Sequence, residues 1–135
     1  MSRGRLITLE GSEGVGKSTN LDVVCKFLEE KRIRFTVTRE PGGTEIAERI
    51  RELLLSETNE IMDGLTELLL MFAARNQHLT RKILPELDQG LWVVSDRFTD
   101  ASYAYQAFGR STEIEKVDTL RRLVQGVFNP DLTLL

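Results

Sequence analysis

The strongest constraint on the fold is a glycine-rich segment at residues 11–18, which reads Gly-Ser-Glu-Gly-Val-Gly-Lys-Ser. It matches the pattern G-x-x-x-x-G-K-[ST] and lies between an apolar run at residues 6–9 and a segment of helical periodicity from Ser18. Glycines let successive backbone N–H groups turn toward an anion, and the N-terminus of the next helix adds its dipole. This context predicts a strand, a phosphate-binding loop and a helix. The alternative is a glycine-rich turn that happens to precede a helix.

Two side chains at the end of this segment have the chemistry for phosphate and metal binding. Lys17 would bring a cation to the β- and γ-phosphates of a nucleoside triphosphate, and Ser18 offers a hydroxyl ligand for Mg²⁺. The predicted set of residues that bind the ATP phosphates is Gly11, Ser12, Glu13, Gly14, Val15, Gly16, Lys17, Ser18 and Thr19.

The rest of the chain alternates strand-like and helix-like segments. Further strands are predicted at residues 35–38, 91–94 and 132–135. Helices are predicted to begin at Ser18, after the N-cap Thr44, near Asp63 and after the capping-box residue Thr112, and the last two to end at Gly90 and at Asn129-Pro130. Pro85 is expected to kink or interrupt the third helix. The alternation predicts an α/β fold, a parallel β-sheet with helices on both faces, as a single domain over residues 1–135.

Composition narrows the class of protein further. The 135 residues include 18 Lys+Arg and 21 Asp+Glu, a formal net charge of −3, which argues against broad nonspecific binding to nucleic acid. No run approaches the ~20 apolar residues of a membrane span. The single cysteine, Cys25, is consistent with a reducing compartment. We therefore expect a cytoplasmic domain without membrane or nucleic-acid partners.

A carboxylate follows the third predicted strand. Asp96 comes at the end of the apolar segment Trp-Val-Val-Ser-Asp, and Arg97 follows it directly. Ligands of parallel sheets collect at the carboxyl ends of the strands, where the glycine-rich loop also begins. An acid in this place is well situated to organise a metal beside bound phosphates. The alternative is a surface Asp-Arg pair that caps the next turn.

Three further segments, together with the phosphate loop, carry a family resemblance. They are Thr-Arg-Glu-Pro-Gly-Gly-Thr at residues 38–44, Asp-Arg-Phe at 96–98 and Ala-Tyr-Gln at 104–106. With these segments the chain resembles bacterial thymidylate kinases from Leu6 to Leu135. The resemblance implies the nucleoside-monophosphate-kinase variant of the P-loop NTPase fold. It also implies transfer of the γ-phosphoryl group of ATP to thymidine monophosphate (dTMP), with Mg²⁺ as cofactor, and a homodimer.

The resemblance also implies roles for residues around the reacting phosphates. Lys17, Asp96 and Arg97 would be the catalytic residues, with Asp96 and Ser18 as the Mg²⁺ ligands. Arg39 and Arg97 would hold the phosphate of dTMP, because guanidinium forks match phosphate geometry and stay charged.

The rest of the dTMP pocket is implied in the same way. Arg75 would reach the edge of thymine, with Ser102 and Gln106 beside it, and Tyr105 would press on the 2′ position of the sugar. Glu13 would lie near the 3′-hydroxyl, and Arg51 would point into the acceptor site. The complete predicted dTMP set is Glu13, Arg39, Glu40, Arg51, Phe72, Arg75, Arg97, Ser102, Tyr105 and Gln106.

One position departs from the family pattern. The family commonly places a base-stacking Phe four residues before the recognition Arg, but here that residue is Met71, and Phe72 comes three before Arg75. Both spacings put a side chain on the neighbouring surface of a helix, so either could face the base. Phe72 is favoured for its aromatic ring, although core packing is the ordinary role of such a residue. His78, a lone histidine, is expected to be solvated or hydrogen-bonded rather than metal-bound.

Two other functions compete with this interpretation. The chain could be another P-loop kinase that acts on a different nucleotide or a metabolite, or a noncatalytic nucleotide-binding module such as a GTP switch. The cluster of Arg39, Arg75, Arg97 and Tyr105 favours a dTMP kinase, and the sequence contains no Asn-Lys-x-Asp segment for reading guanine.

The sequence stops inside the fourth predicted strand, before the basic lid, adenine-binding segment and final strand and helix that thymidylate kinases have. This predicts an N-terminal piece of a longer chain, poorly active alone, because lid cations and water exclusion support phosphoryl transfer.

Overall fold

The computed structural model describes residues 2–10, 17–98 and 113–134. Within them the chain alternates strands and helices, as the sequence predicts. In chain order the elements are β1 (Leu6–Leu9), α1 (Lys17–Glu30), β2 (Phe35–Arg39), α2 (Glu45–Leu55), α3 (Gly64–His78), a π-helical turn (Leu79–Ile83), α4 (Leu84–Asp88), β3 (Trp92–Asp96), α5 (Glu113–Gln125) and β4 (Leu132–Leu134).

The four described strands form one parallel sheet in the order β2-β3-β1-β4. The register places Asp96 of β3 between Arg39 of β2 and Leu9 of β1, and Leu9 opposite Leu134 of β4. Because parallel strands point the same way, these residues mark a common carboxyl edge of the sheet. The predicted α/β fold with a parallel sheet is confirmed.

Helices cover both faces of the sheet, as its buried residues show. One face carries the cluster of Leu6, Leu79, Ile83, Leu87, Val93 and Phe98, which joins the strands to the π turn and α4. The other face carries Ile7, Leu9, Leu28 and Val94, with α1 packed against it. Neighbouring residues of a strand point to opposite faces, so β1 and β3 contribute to both clusters. Buried on both sides, these two strands are near-continuous apolar runs.

The helix ends follow the chemistry of their capping residues. Thr44 caps α2, its hydroxyl accepting from the backbone N–H of Ala47 at 3.2 Å, as predicted. Asp63 caps α3 through the N–H of Leu65. The last helix ends earlier than its apolar pattern indicates, at Gln125, because Gly126 takes a left-handed conformation (φ +59°). Thr112, the predicted capping-box residue, lies outside the described residues.

The third predicted helix is interrupted just before Pro85. Residues Leu79–Ile83 form a π turn in which the N–H of Leu84 donates to the carbonyl of Leu79, and Pro85 then lies in the first turn of α4. A proline lacks the N–H that a continuous α-helix needs, and its ring crowds the carbonyl four residues earlier. The wider winding therefore precedes the proline, and the helical stretch ends at Gly90 (φ +86°), as predicted.

Several apolar residues predicted to face the core are exposed instead. Phe27 of α1 is 54% exposed, with Lys31 over its ring, whereas its neighbour Leu28 is buried. On α3, Leu68 and Phe72 are buried but Leu65 and Leu69 are about half exposed. Helical periodicity identifies an apolar side of a helix, but neighbouring elements decide how much of that side is covered.

Candidate functional site

The predicted metal-binding and phosphate-binding residues meet at the carboxyl edge of the sheet. Arg39 and Asp96 are the last residues of adjacent strands and pair across them. Just past them, the N–H of Glu40 donates to the carbonyl of Asp96 at 2.8 Å, and that of Arg97 to the carbonyl of Leu9 at 2.8 Å. The chain is thus held in register through the strand ends, which fixes where the side chains at this edge begin.

Arg97 leaves β3 in an unusual backbone conformation. Its φ is +74°, in the left-handed region that residues with a Cβ rarely adopt. Ser95, which is fully buried, donates from its hydroxyl to the carbonyl of Arg97 at 2.8 Å and so supports this turn. A strained non-glycine residue held by its surroundings is a common feature of functional sites.

Arg39 forms a two-pronged ion pair with Glu48 of α2. Its Nε and Nη2 donate to the two carboxylate oxygens at 3.2 and 2.7 Å, and the N–H of Gly43 donates to Oε1 at 3.0 Å. The Arg39 guanidinium and the Gly43 N–H together lower the pKa of Glu48 to about 2. The same hydrogen bonds raise the pKa of Arg39. A guanidinium fork therefore sits at the edge in an orientation suited to two acceptor oxygens.

A second carboxylate, Glu40, is buried behind this edge. Its Oε1 accepts from Nε of Arg75 at 2.7 Å, and both side chains are only 3% exposed. Its Oε2 contacts Nδ1 of His78, and Nε2 of that ring lies 2.7 Å from the hydroxyl of Thr38. We call Thr38, His78, Glu40 and Arg75 the buried network.

The guanidinium of Arg75 also lies against two aromatic rings. Its Cζ is 5.1 Å from the ring centre of Phe72 and 4.9 Å from that of Phe98. Phe72 itself packs in the core with Leu68 and Val117. The structure thus places Phe72 beside the predicted base-recognition residue, and base stacking by Phe72 or Met71 stays a prediction.

The two glycines of the Pro-Gly-Gly segment make room for these carboxylate and imidazole groups. Both have positive φ, +142° at Gly42 and +94° at Gly43. A Cβ on Gly42 would lie 2.5 Å from Oε1 of Glu48, and one on Gly43 would overlap the ring of His78. The sequence suggested only a turn here. In the structure each glycine gives one functional-site side chain its close approach.

Arg51, on the turn of α2 above this segment, reaches back to the loop. Its Nη1 donates to the carbonyl of Pro41 at 3.0 Å. This contact ties α2 to the Pro-Gly-Gly segment and brings a third arginine to the neighbourhood of Arg39.

An open cleft of about 570 Å³ lies at this edge of the sheet. Arg39 and Asp96 line it, as the sequence predicts, and Glu48 and Lys82 add charges that sequence reasoning did not place there. The remaining lining residues are Leu21, Val37, Thr38, Gly43, Thr44 and Glu45.

Sequence reasoning missed Glu48 as a site residue and gave His78 no role. A signal for His78 was available, since it follows Arg75 by three residues and therefore shares its side of α3. Glu48 follows the N-cap Thr44 by one helical turn, which places it over the start of α2 beside the glycines.

Several predicted site residues cannot be compared with the structure. Thr19 is exposed in the first turn of α1. The backbone of Lys17 and Ser18 starts that helix, but their side chains are not described. The residues outside the described part of the chain are Gly11, Ser12, Glu13, Gly14, Val15, Gly16, Ser102, Tyr105 and Gln106.

Comparison with known proteins identifies the family to which this arrangement belongs. A family model described as thymidylate kinase matches residues 9–135. The chain belongs to the thymidylate kinase family. Its four parallel strands and flanking helices are accordingly those of a P-loop NTPase fold of the nucleoside-monophosphate-kinase type.

Individual members of the family match along the whole chain. It is 56% identical to a thymidylate kinase of Vesicomyosocius okutanii over 100% of this chain and 66% of that protein, and 57% identical to one of Chromohalobacter salexigens over 100% and 64%. The crystal structure of the Ehrlichia chaffeensis thymidylate kinase superposes with a TM-score of 0.82 at 37% identity, over 97% of this chain and 74% of that one. The chain thus spans slightly less than two thirds of these curated relatives.

The donor chemistry at the edge fits the predicted Mg²⁺. Mg²⁺ takes oxygen ligands, and proteins usually bind it through one or two carboxylates together with phosphate oxygens and water. Asp96 supplies a carboxylate beside the strand that leads into the glycine-rich loop. Among residues 2–10, 17–98 and 113–134 no cluster of three or more His, Cys, Asp or Glu side chains could hold a metal, which agrees with a site that relies on phosphates.

Hydropathy was searched over the same part of the chain. None of the helices described there is both long and apolar enough to cross a membrane.

Proposed function

We propose that this protein transfers the γ-phosphoryl group of ATP to dTMP and releases thymidine diphosphate. The observation that carries the proposal is the arrangement at one sheet edge, where Arg39 and Asp96 end adjacent strands and the buried Arg75 lies behind them. Membership in the thymidylate kinase family supports the same activity.

In this mechanism the arginines orient the acceptor. The fork of Arg39, now held by Glu48, has the geometry to accept two phosphate oxygens in its place. Arg97 follows Asp96 directly and is the second proposed phosphate ligand. A guanidinium has five N–H donors, so Arg75 can keep its Nε on Glu40 while other N–H groups meet a carbonyl of thymine.

The phosphate donor is assigned to the loop that follows β1. Backbone N–H groups of residues 11–16 and the ammonium of Lys17 would hold the ATP phosphates near Asp96. Asp96 and Ser18 would hold Mg²⁺. The ion, when bound, neutralises charge on the phosphate oxygens. Catalysis of phosphoryl transfer depends mostly on such positioning and charge stabilisation, so these residues need no covalent role.

The decisive experiment is an acceptor panel with the purified protein, ATP and Mg²⁺. We expect diphosphate formation from dTMP to exceed that from the monophosphates of deoxycytidine, deoxyadenosine and deoxyguanosine. Arg75→Ala should reduce this preference, because its donors face the base in the proposed complex. Arg49→Ala is the matched control, since Arg49 is a solvent-facing arginine of α2 paired only with Glu45 among the contacts described. Preference for another monophosphate would overturn the substrate assignment.

We also propose that the enzyme works as a homodimer through α2 and α3, which pack against each other. Ile46 and Leu53 of α2 are about half exposed and share a side, as do Leu65 and Leu69 of α3. Exposed apolar side chains in such numbers favour a partner surface. Sedimentation should give a dimer for the parent and a monomer for Leu65→Glu/Leu69→Glu. A parent that is monomeric at every concentration would contradict the dimer. Location in the cytoplasm stays a prediction.

A further inference from the structure

His78 is a fully buried imidazole with a defined partner at each ring nitrogen. Its exposure is 0%, and it lies between the carboxylate of Glu40 and the hydroxyl of Thr38. An ionised carboxylate only accepts hydrogen bonds, so Nδ1 carries a proton toward Glu40. Nε2 then accepts the hydroxyl proton of Thr38. This assignment uses every polar atom of the ring.

The two oxygens of Glu40 are divided between two partners on the same helix. Oε1 accepts from Arg75 and Oε2 from His78, and these residues are three apart on α3. Rotation of the carboxylate would weaken both contacts at once. The donor on Oε2 therefore limits the orientation of the oxygen that holds Nε of Arg75.

The surroundings of the ring prevent it from moving. Gly43 lies so close that a Cβ at its position would overlap the ring and come within 2.7 Å of the Thr38 hydroxyl. Thr38 is held in β2 by its pairing with Ser95 of β3. The imidazole thus connects the rigid sheet to a carboxylate that holds a binding-site arginine.

We propose that His78 is a positioning residue for base recognition: by donating to Glu40 it fixes the guanidinium plane of Arg75 and thereby tightens dTMP binding. This inference rests on the proposed function. The effect of losing His78 should be confined to the acceptor, because no part of the buried network belongs to the segment assigned to ATP.

Two amide substitutions separate the two contacts of the ring. The side-chain nitrogen of Asn is as many bonds from Cα as Nδ1 of His, whereas that of Gln matches Nε2. His78→Asn therefore keeps the donor to Glu40, and His78→Gln keeps a group near Thr38 but moves the donor away from Glu40. We expect His78→Gln to raise the KM for dTMP about tenfold, the usual effect of losing one hydrogen bond to a charged group. The KM for ATP should change less than about twofold, and His78→Asn should stay within about threefold of the parent for both substrates.

A second measurement does not depend on activity. The Nε–H proton of Arg75, protected by its bond to Glu40, should exchange slowly with water in the parent and in His78→Asn, and at least about tenfold faster in His78→Gln. Thr38→Val, which leaves the contact between His78 and Glu40 in place, should change this exchange less than His78→Gln does. It supplies the comparison if His78→Gln does not fold.

The outcomes distinguish this inference from the proposed function. If the parent does not phosphorylate dTMP but Arg75 exchange follows the expected order, the proposed function fails and the positioning of Arg75 holds. If the parent is active and His78→Gln and His78→Asn have the same KM for dTMP, His78 does not position Arg75. Equal increases in the KM for ATP and for dTMP would likewise overturn the inference, because they indicate a general loss of structure.

Discussion

Two arginine–carboxylate pairs stand at the end of β2, and they differ in little except burial. Arg75 and Glu40 are 2.7 Å apart with side chains 3% exposed, and Arg39 and Glu48 are also 2.7 Å apart with side chains 52% and 36% exposed. The first pair is enclosed by Phe72, Phe98 and His78, and the second borders the open cleft.

The difference separates a permanent contact from an exchangeable one. A buried carboxylate and guanidinium lose their water, so removing either partner leaves a charge that nothing nearby can compensate. An exposed pair is screened, and water or another anion can replace the carboxylate at small cost. The buried pair suits a fixed recognition element, whereas the exposed pair keeps a phosphate-binding fork oriented until an acceptor arrives.

The largest effect should come from removing the buried carboxylate. Glu40→Ala should lower the free energy of unfolding by ~3–5 kcal/mol, because Arg75 is left buried without its counter-charge. The matched variant Glu48→Ala should lower it by less than ~1 kcal/mol. Urea unfolding followed by circular dichroism measures both. Similar losses for the two variants would show that burial does not distinguish the pairs.

The glycines beside the two pairs should differ in the same direction. Gly43→Ala should cost ~2–3 kcal/mol, since its positive φ is unfavourable for alanine and the new methyl group meets the enclosed ring of His78. Gly42→Ala meets only the end of the flexible Glu48 side chain, so we expect about half that cost. Thermal unfolding of both variants tests the order, and a larger loss for Gly42→Ala would reverse the comparison.

Arg39 should matter more for binding than for folding. Arg39→Ala should raise the KM for dTMP about tenfold, because two charge-assisted hydrogen bonds to phosphate are lost. Its free energy of unfolding should change by less than ~1 kcal/mol. Steady-state kinetics at saturating ATP, together with urea unfolding, measures both quantities. If Arg39→Ala instead unfolds the protein and leaves the KM unchanged, the exposed pair is structural.

The smallest effect concerns pH. The pKa of Glu48 is lowered from 4.5 to about 2 by its hydrogen bonds from Arg39 and Gly43. A depressed folded-state pKa means that the stabilisation is complete above about pH 5 and is lost as the pH falls toward 2. The parent should therefore exceed Glu48→Gln in stability by up to ~1 kcal/mol near neutral pH, discounted for the exposure of the pair. Urea titrations at several pH values should show this gap closing below about pH 4; a constant gap would contradict the role of the charge.

The fold was accessible from sequence because its signals are local. Val93 and Val94 belong to a continuous apolar run that predicts a strand buried on both faces, and Thr44 identifies a helix start from its own side chain. The helix ends were less accessible, as Gly126 shows. A single glycine that adopts a left-handed conformation overrides an apolar pattern that continues through Val127.

The candidate site was only partly accessible for the opposite reason. Motif residues such as Arg39 and Asp96 were placed correctly at the sheet edge because they follow predicted strands. The contact between Thr38 and His78 spans 40 residues, and that between Glu40 and Arg75 spans 35. No periodicity or spacing relates such distant partners; only the folded chain brings them together.

The π turn at Leu79–Ile83 has a consequence for which changes of chain length this protein tolerates. Thr80 lies in that turn and is exposed, so by surface criteria it looks like a position where a residue could be lost. Removing one residue would restore regular α-helical winding and rotate everything after it by about 100° relative to α3. Leu87 would then leave the core while Arg75, upstream, stayed in place. A surface position can thus accept almost any substitution and still forbid a deletion.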